Sequence, residues 1–278
     1  MVMRSWLGWV AVAAGLAIAL GAFELGGTGT GRTWTTLAAQ TRGSQAAPYS
    51  GPRTRDGKPD LNGIWQVLNE AYWDVEAHSA EEGTPGGIGV VEGGGIPYKP
   101  EALAKRKQNW EKRATEDPST KCFLAGVPRI TYVPLPFEIV QTPKYVVFSY
   151  AYEHARRIAY TDGSPHPEAL EFWMGDSRGK WEGDTLVIDN VDFNDKTWFD
   201  HAGNYHSNAL HVIERYTVTD ADHITYEATI EDPKVFLRPW KMTMTLYRRR
   251  DPGLEVIDYD CVSFFWKKVI AADKAKGN

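Results

Sequence analysis

The sequence predicts a mainly β protein: an antiparallel β-barrel or sandwich with one peripheral helix, preceded by an apolar N-terminal helix. Three observations carry this expectation. About nine short segments rich in β-branched and aromatic residues follow one another between turn signals. Two of them alternate without a break, Ile224, Tyr226, Ala228 and Ile230 opposing Thr225, Glu227 and Thr229, and Met242, Met244 and Leu246 opposing Thr243, Thr245 and Tyr247. Beyond the N-terminus only residues 100–115 have the composition of a helix.

Taken in order, Arg4 precedes an uncharged apolar run, residues 5–23, that ends at Glu24. Its length falls between a signal-peptide core and a membrane span, so 1–23 reads as a signal peptide or a membrane anchor. The chain is therefore expected to be exported, either periplasmic or anchored with its domain facing the periplasm and membrane contact through residues 5–23. Residues 24–50 are rich in Gly, Thr and Ser without a period and read as a flexible linker. Residues 51–278 read as one β domain.

The first strand is expected at 64–68. Residues 69–97 carry Gly83, Gly86, Gly87, Gly89 and the triple Gly93-Gly94-Gly95, which suits a mobile lid or disorder. Helix 100–115 opens on Pro100, with Leu103, Ala104 and Trp110 as its apolar side. Further strands are expected at 145–152, 155–161, 180–181, 185–191, 209–218, 223–230, 241–248 and 255–265, with Glu182-Gly183-Asp184 as a hairpin turn.

Composition narrows the function. The hydrophobic share of 42% and charged share of 24% are those of a globular protein. The first 44 residues hold three arginines and one glutamate, so the rest has 28 basic against 35 acidic side chains, a net −7. That balance, without a Lys/Arg cluster, excludes nucleic acid as a partner. Two cysteines, Cys122 and Cys261, are expected to form a disulfide if the domain is exported, and otherwise to be buried thiols.

The string Asp56-Gly57-Lys58-Pro59-Asp60-Leu61 through Gly63-Ile64-Trp65 resembles the opening of a family of exported bacterial proteins of uncharacterised function. The resemblance continues through Trp181-Glu182-Gly183-Asp184-Thr185-Leu186-Val187, Phe193-Asn194-Asp195-Lys196-Thr197-Trp198, His206-Ser207 and His211-Val212 to Glu214-Arg215-Tyr216. It covers nearly the whole domain and implies membership without implying an activity. Gly63-x-Trp65 is also similar to the first strand of lipocalin-like barrels.

Polar residues on apolar strand faces are the first candidates for chemistry, because burying them unpaired is costly. Alternation puts His154 with Val146, Phe148, Tyr150 and Tyr152, and Glu214 with Val212, Tyr216 and Val218, while His211 and Arg215 take the other face. Loop 197–211 holds Asp200, His201, His206 and His211. The spacing of His206 and His211 argues against a metal, so no metal site is expected there, and an Asp200–His206 acid–base pair competes with a hydrogen-bonded loop. The candidates are thus His154, Asp200, His206 and Glu214 for catalysis, and Tyr150, Arg156, Trp198, His211 and Arg215 for ligand binding. A second polar cluster, Glu153, Arg156, Arg157, Asp162 and His166, suits an anionic ligand or a turn held by side chains.

No G-x-S-x-G elbow, Walker loop, H-E-x-x-H or C-x-x-C is present, and no cofactor is indicated. Three functions fit. One is a barrel binding a small, largely apolar ligand. Another is a cofactor-free lyase, isomerase or hydrolase using His, Asp or Glu for proton transfer. The third is an accessory subunit of a membrane complex, docked through the N-terminal helix.

Overall fold

Strands with one apolar face bury it most completely by curling into a closed wall, and this chain does so. The computed structural model describes residues 49–81, 84–168, 170–257, 259 and 261. Its strands are β1 Gly63–Val67, β2 Phe137–Gln141, β3 Tyr145–Tyr150, β4 Arg156–Tyr160, β5 Asp176–Glu182, β6 Thr185–Val191, β7 His211–Val218, β8 His223–Glu231 and β9 Trp240–Arg248. They form a closed barrel in sequence order, with β1 paired to β9. The expected signal peptide or anchor, nearly all of the linker, and residues beyond Cys261 lie outside the described residues. Among the described residues no helix is long and apolar enough to cross a membrane.

The barrel is mixed. Every neighbouring pair is antiparallel except β4 and β5, which run parallel. Chain direction must return to itself around a ring, so antiparallel pairings must be even in number; with nine strands, one parallel pair satisfies this. The connection 161–175 therefore crosses from one end of the barrel to the other.

Strand directions sort the connections. Residues 142–144, 183–184 and 219–222 close one end as tight turns. Residues 68–136, 151–155, 192–210 and 232–239 all gather at the other end. At the tight end Trp65 is fully buried, its Nε1 donates to Leu61 O at 2.8 Å, and Arg248 lies over its ring at 4.2 Å. Gly63 lets Arg248 in: it has φ +128, and a Cβ there would sit 2.7 Å from Arg248 Nη1. At the loop end a short 3-10 turn, Arg129–Tyr132, is wholly buried and plugs the barrel.

Several expectations are corrected. β2 lies where no strand was expected, and residues 255–257 form none. Tyr259 instead forms an isolated parallel bridge with Tyr152. β3 stops at Tyr150 because Glu153 and His154 turn the chain with positive φ, 54° and 50°. His154 is exposed in that turn rather than inside the barrel. The Gly-rich segment is neither lid nor disorder where described: Val90 and Glu92 bond to β9 beyond the reach of β1, and Val75 and Val91 join the core.

The helix, α1 Pro100–Glu116, buries Ala102 rather than Leu103 or Ala104, which are exposed. Its inner stripe, Ala102, Arg106 and Asn109, faces loop 197–211: Ala102 O accepts from Tyr205 OH at 3.2 Å, and Asn109 Nδ2 donates to Gly203 O at 3.1 Å. Gly203, at φ +86, has no room for a side chain, since a Cβ would meet Asn109 Cβ at 2.6 Å. Cys122 and Cys261 form the disulfide, with Cα atoms 5.5 Å apart.

Candidate functional site

Three polar centres are built on this frame. The first fills the barrel. Alternation turns Arg157, Asn190, Glu214, Tyr216 and Tyr226 inward, and all are buried. Glu214 is the hub. Its Oε2 accepts from Arg157 Nη1 at 2.7 Å and Asn190 Nδ2 at 3.0 Å, and its Oε1 accepts from Tyr216 OH at 3.0 Å and Tyr226 OH at 2.8 Å. Arg157 also donates to the Tyr216 hydroxyl at 3.2 Å and lies over Phe148 at 4.5 Å. Burial holds both these phenols well above their usual range, and burial opposed by Arg157 pushes Tyr150 up to about 12. The carboxylate and guanidinium neutralise each other, which is how a buried charge survives. Yet Arg157 Nε, Tyr150 OH and Thr131 Oγ1 have no hydrogen-bond partner among the described residues. Thr131 stands close enough to act on the Tyr150 and Tyr216 phenols, but without the geometry of a normal bond.

The second centre lies at the loop end. Arg129 grips Asp117 with both terminal nitrogens, at 2.8 and 2.9 Å. Asp117 Oδ2 also meets His201 Nδ1 at 2.7 Å. Burial alone would raise the Asp117 carboxyl; the Arg129 charge and the bonds from His201 and Arg129 overcome it and hold it far below the carboxylate range. An ionised Asp117 only accepts, so His201 carries a proton on Nδ1 and turns Nε2 away from this pair. Trp73 meets the His201 ring edge-on at 5.5 Å.

Next along the chain, Asp200 is fully buried and accepts from Val75 N at 3.0 Å, Asn204 N at 3.1 Å and Asn204 Nδ2 at 2.6 Å. Asn204 Nδ2 also reaches Asp74 at 3.4 Å. Burial and then the Asp74 charge push Asp200 up to about 7.

The third centre is on the outer wall. β6 carries Asp189, β7 His211 and β8 Glu231, and the connection 161–175 lays His166 over them. His211 Nε2 meets Asp189 Oδ1 at 2.5 Å and its Nδ1 meets Glu231 at 3.2 Å. His166 Nε2 meets the other oxygen, Oδ2, at 3.4 Å, and its Nδ1 meets Asp176 at 2.6 Å. Arg178 clamps Asp176 at 2.6 and 2.9 Å. The bond to Asp189 raises His211, and the same bond lowers Asp189. A cleft of about 290 Å³ opens here, lined among others by Tyr160, His166, Arg178, Lys180 and Asp189.

The expected site residues fall in separate places. Glu214 and Tyr150 are inside the barrel; His154 and Arg156 are exposed at the β3–β4 turn, where Arg157 is the arginine that turns inward. His206 is buried, with Nδ1 donating to Ser207 O at 2.9 Å and Nε2 therefore accepting from Thr197 Oγ1 at 2.7 Å; burial lowers its pKa. Asp200 and His206 share no hydrogen bond, so the acid–base pair does not form. Arg215 faces outward to Glu182 at 2.9 Å, and Trp198 borders a cleft of about 400 Å³ beside α1. The sequence carries no signal for the role of His201, because its partner Asp117 is remote in the chain and stands only at the start of a Pro118 turn. No family model, curated protein or solved structure matches the chain.

Proposed function

We propose that this protein is a cofactor-free enzyme of proton-transfer chemistry, a lyase, isomerase or hydrolase, with His201 as its base. One observation carries the reading: His201 is oriented through Nδ1 by a buried, arginine-clamped carboxylate, and its Nε2 has no hydrogen-bond partner among the described residues. A base needs that combination, because the carboxylate fixes the tautomer and stabilises the imidazolium formed on proton uptake. The place supports it too, since the long connections that shape a mouth all lie at this end. The Cys122–Cys261 bond is consistent with work in an oxidising, exported compartment.

Long-range proton–nitrogen spectra of the full chain test the tautomer, with the proton expected on His201 Nδ1 at neutral pH. A panel of small esters, lactones, epoxides and enolisable ketones tests turnover, which His201→Gln is expected to abolish. A proton on Nε2, or turnover indifferent to that substitution, overturns the reading.

A second reading has its own observation. The unpartnered Tyr150 OH, Thr131 Oγ1 and Arg157 Nε favour a small, largely apolar ligand that brings a polar end into the barrel. Native mass spectrometry of the full chain distinguishes it, through a bound small molecule that Tyr150→Phe releases.

A further inference from the structure

The cleft beside α1 gathers positive charge on an otherwise acidic domain. Three lysines line its volume of about 400 Å³, each from a different element: Lys112 from α1, Lys121 from the 3-10 turn Pro118–Lys121, and Lys196 from the connection 192–210. Glu116 is the one carboxylate among the lining residues, and Lys121 takes it at 2.6 Å. Lys112 and Lys196 form no salt bridge among the described residues. The lining therefore carries two positive charges in excess, on a domain whose net charge is −7.

A cation near the C-terminal end of a helix needs no ligand, because the helix dipole favours it there, and Lys112 and Lys121 have that reason. Lys196 has none. Its backbone is fixed from both sides: Asn194 Oδ1 accepts from Lys196 N at 3.1 Å, and Asn194 N donates to Phe172 O at 3.0 Å. Thr197 is buried, bonded to His206 at 2.7 Å and pressed against Gly126, where a Cβ would stand 2.5 Å from the Thr197 hydroxyl. With Thr197 locked inward, its neighbours Lys196 and Trp198 both reach the cleft. That wall stands formed before any ligand arrives, which lowers the cost of binding one.

The rest of the wall is aromatic. Trp198 and Phe123 line the cleft, and Phe123 remains 39% exposed although its ring packs 5.0 Å from that of Trp173. Lys196 lies over the same Trp173 ring at 5.6 Å, so ammonium and apolar surface are presented together. We infer that this cleft binds a small organic anion with a flat apolar body, an aromatic carboxylate being the simplest case. Lys112 and Lys196 take the carboxylate, and the ring lies along Phe123 and Trp198. A bare inorganic anion would leave the aromatic surface open, and a neutral arene would leave both ammonium groups without a counter-charge. None of these side chains belongs to the His201–Asp117–Arg129 group or to the barrel interior, so binding here does not depend on turnover at His201.

The test titrates the full chain calorimetrically with 2-naphthoate and with 2-naphthamide, its neutral analogue of the same shape. One equivalent of naphthoate is expected to bind saturably. Lys112→Gln and Lys196→Gln are each expected to weaken it about 2–5-fold, and the double variant about 5–25-fold. The circular dichroism of the barrel should be kept, because both side chains are exposed. Naphthamide is expected to bind the wild type about 5–25-fold more weakly than naphthoate, since it forfeits the same two contacts. Lys144→Gln, an exposed lysine in the turn 142–144 at the opposite end of the barrel, controls for net charge and should bind as the wild type does. Absence of saturable binding overturns the inference. So does equal affinity for naphthoate and naphthamide, or naphthoate binding indifferent to the double substitution, which would place the ligand elsewhere in the molecule.

Discussion

Asp117 receives both terminal nitrogens of Arg129, at 2.8 and 2.9 Å, although neither side chain has meaningful contact with water. Each charge is tolerable only because of the other. Arg129→Met leaves the Asp117 carboxylate buried without its guanidinium and is expected to cost about 3–5 kcal/mol, read from the urea midpoint. The same pair sets the acid limit of the fold. Asp117 is held below its unfolded value, so its contribution is complete above about pH 4 and is lost as pH falls through the folded value. Acid unfolding of the wild type is therefore expected to be steep below pH 4, and that of Asp117→Asn shallower.

The Asp74–Asp200 pair works in the opposite direction. Asp200 is raised to about 7, by burial first and by Asp74 second. A raised carboxyl contributes stability that is present below its unfolded value near 3.9 and is lost as pH climbs through 7. The full effect is on the order of 4 kcal/mol at most. Melting temperature is expected to fall between pH 5 and pH 8 in the wild type and to fall less in Asp74→Asn. That variant keeps an oxygen for Glu76 N, which Asp74 Oδ1 now accepts at 2.9 Å. Equal slopes in the two proteins would show that the carboxylates do not share a proton.

Inside the barrel, Arg157 and Glu214 form a pair whose worth is less than its cost of disruption. Glu214→Leu or Arg157→Met alone strands a buried charge and is expected to lose about 3–5 kcal/mol. The double variant is expected to recover most of that loss, because a well-packed apolar pair of similar size replaces a desolvated ionic one. Denaturant titration of the three variants measures the coupling directly. Additive losses would mean that the tyrosines and Asn190, rather than the ion pair, hold Glu214.

Those interior residues also show what the sequence makes legible. β7, β8 and β9 alternate cleanly because one face meets core and the other water, so Glu214 could be turned inward from its neighbours Val212 and Tyr216 alone. β2 is five residues long and follows Pro134 and Pro136, so its period has no length in which to appear. Residues 255–257 have strand composition but join no strand, because composition does not supply a pairing partner. The sites were harder for a related reason. His201 depends on Asp117 and His211 on Asp189, partners joined by folding rather than spacing. Nearness within loop 197–211 suggests an Asp200–His206 pair, yet the fold gives Asp200 to Asn204 and Val75 and His206 to Thr197 and Ser207.

Gly63 ties the first strand to the last, and its replacement is expected to damage the barrel at the end away from His201. Its φ of +128 is accessible to glycine almost alone, and a Cβ would stand 2.7 Å from the Arg248 guanidinium. Arg248 cannot simply retreat, because it lies over Trp65 and donates to Ala221 O at 2.7 Å and Asp60 O at 3.2 Å. Gly63→Ala is therefore expected to cost about 1–3 kcal/mol through backbone strain alone, with a further loss as Arg248 is displaced from the indole. Arg248→Ala should forfeit the stacking and the bonds but not the strain. In the double variant Gly63→Ala/Arg248→Ala the clash is gone and only the strain remains from the alanine. Its urea midpoint should lie above the sum of the two single losses. Strict additivity would place the whole effect of Gly63 in the backbone and remove Arg248 from the account of why glycine stands there.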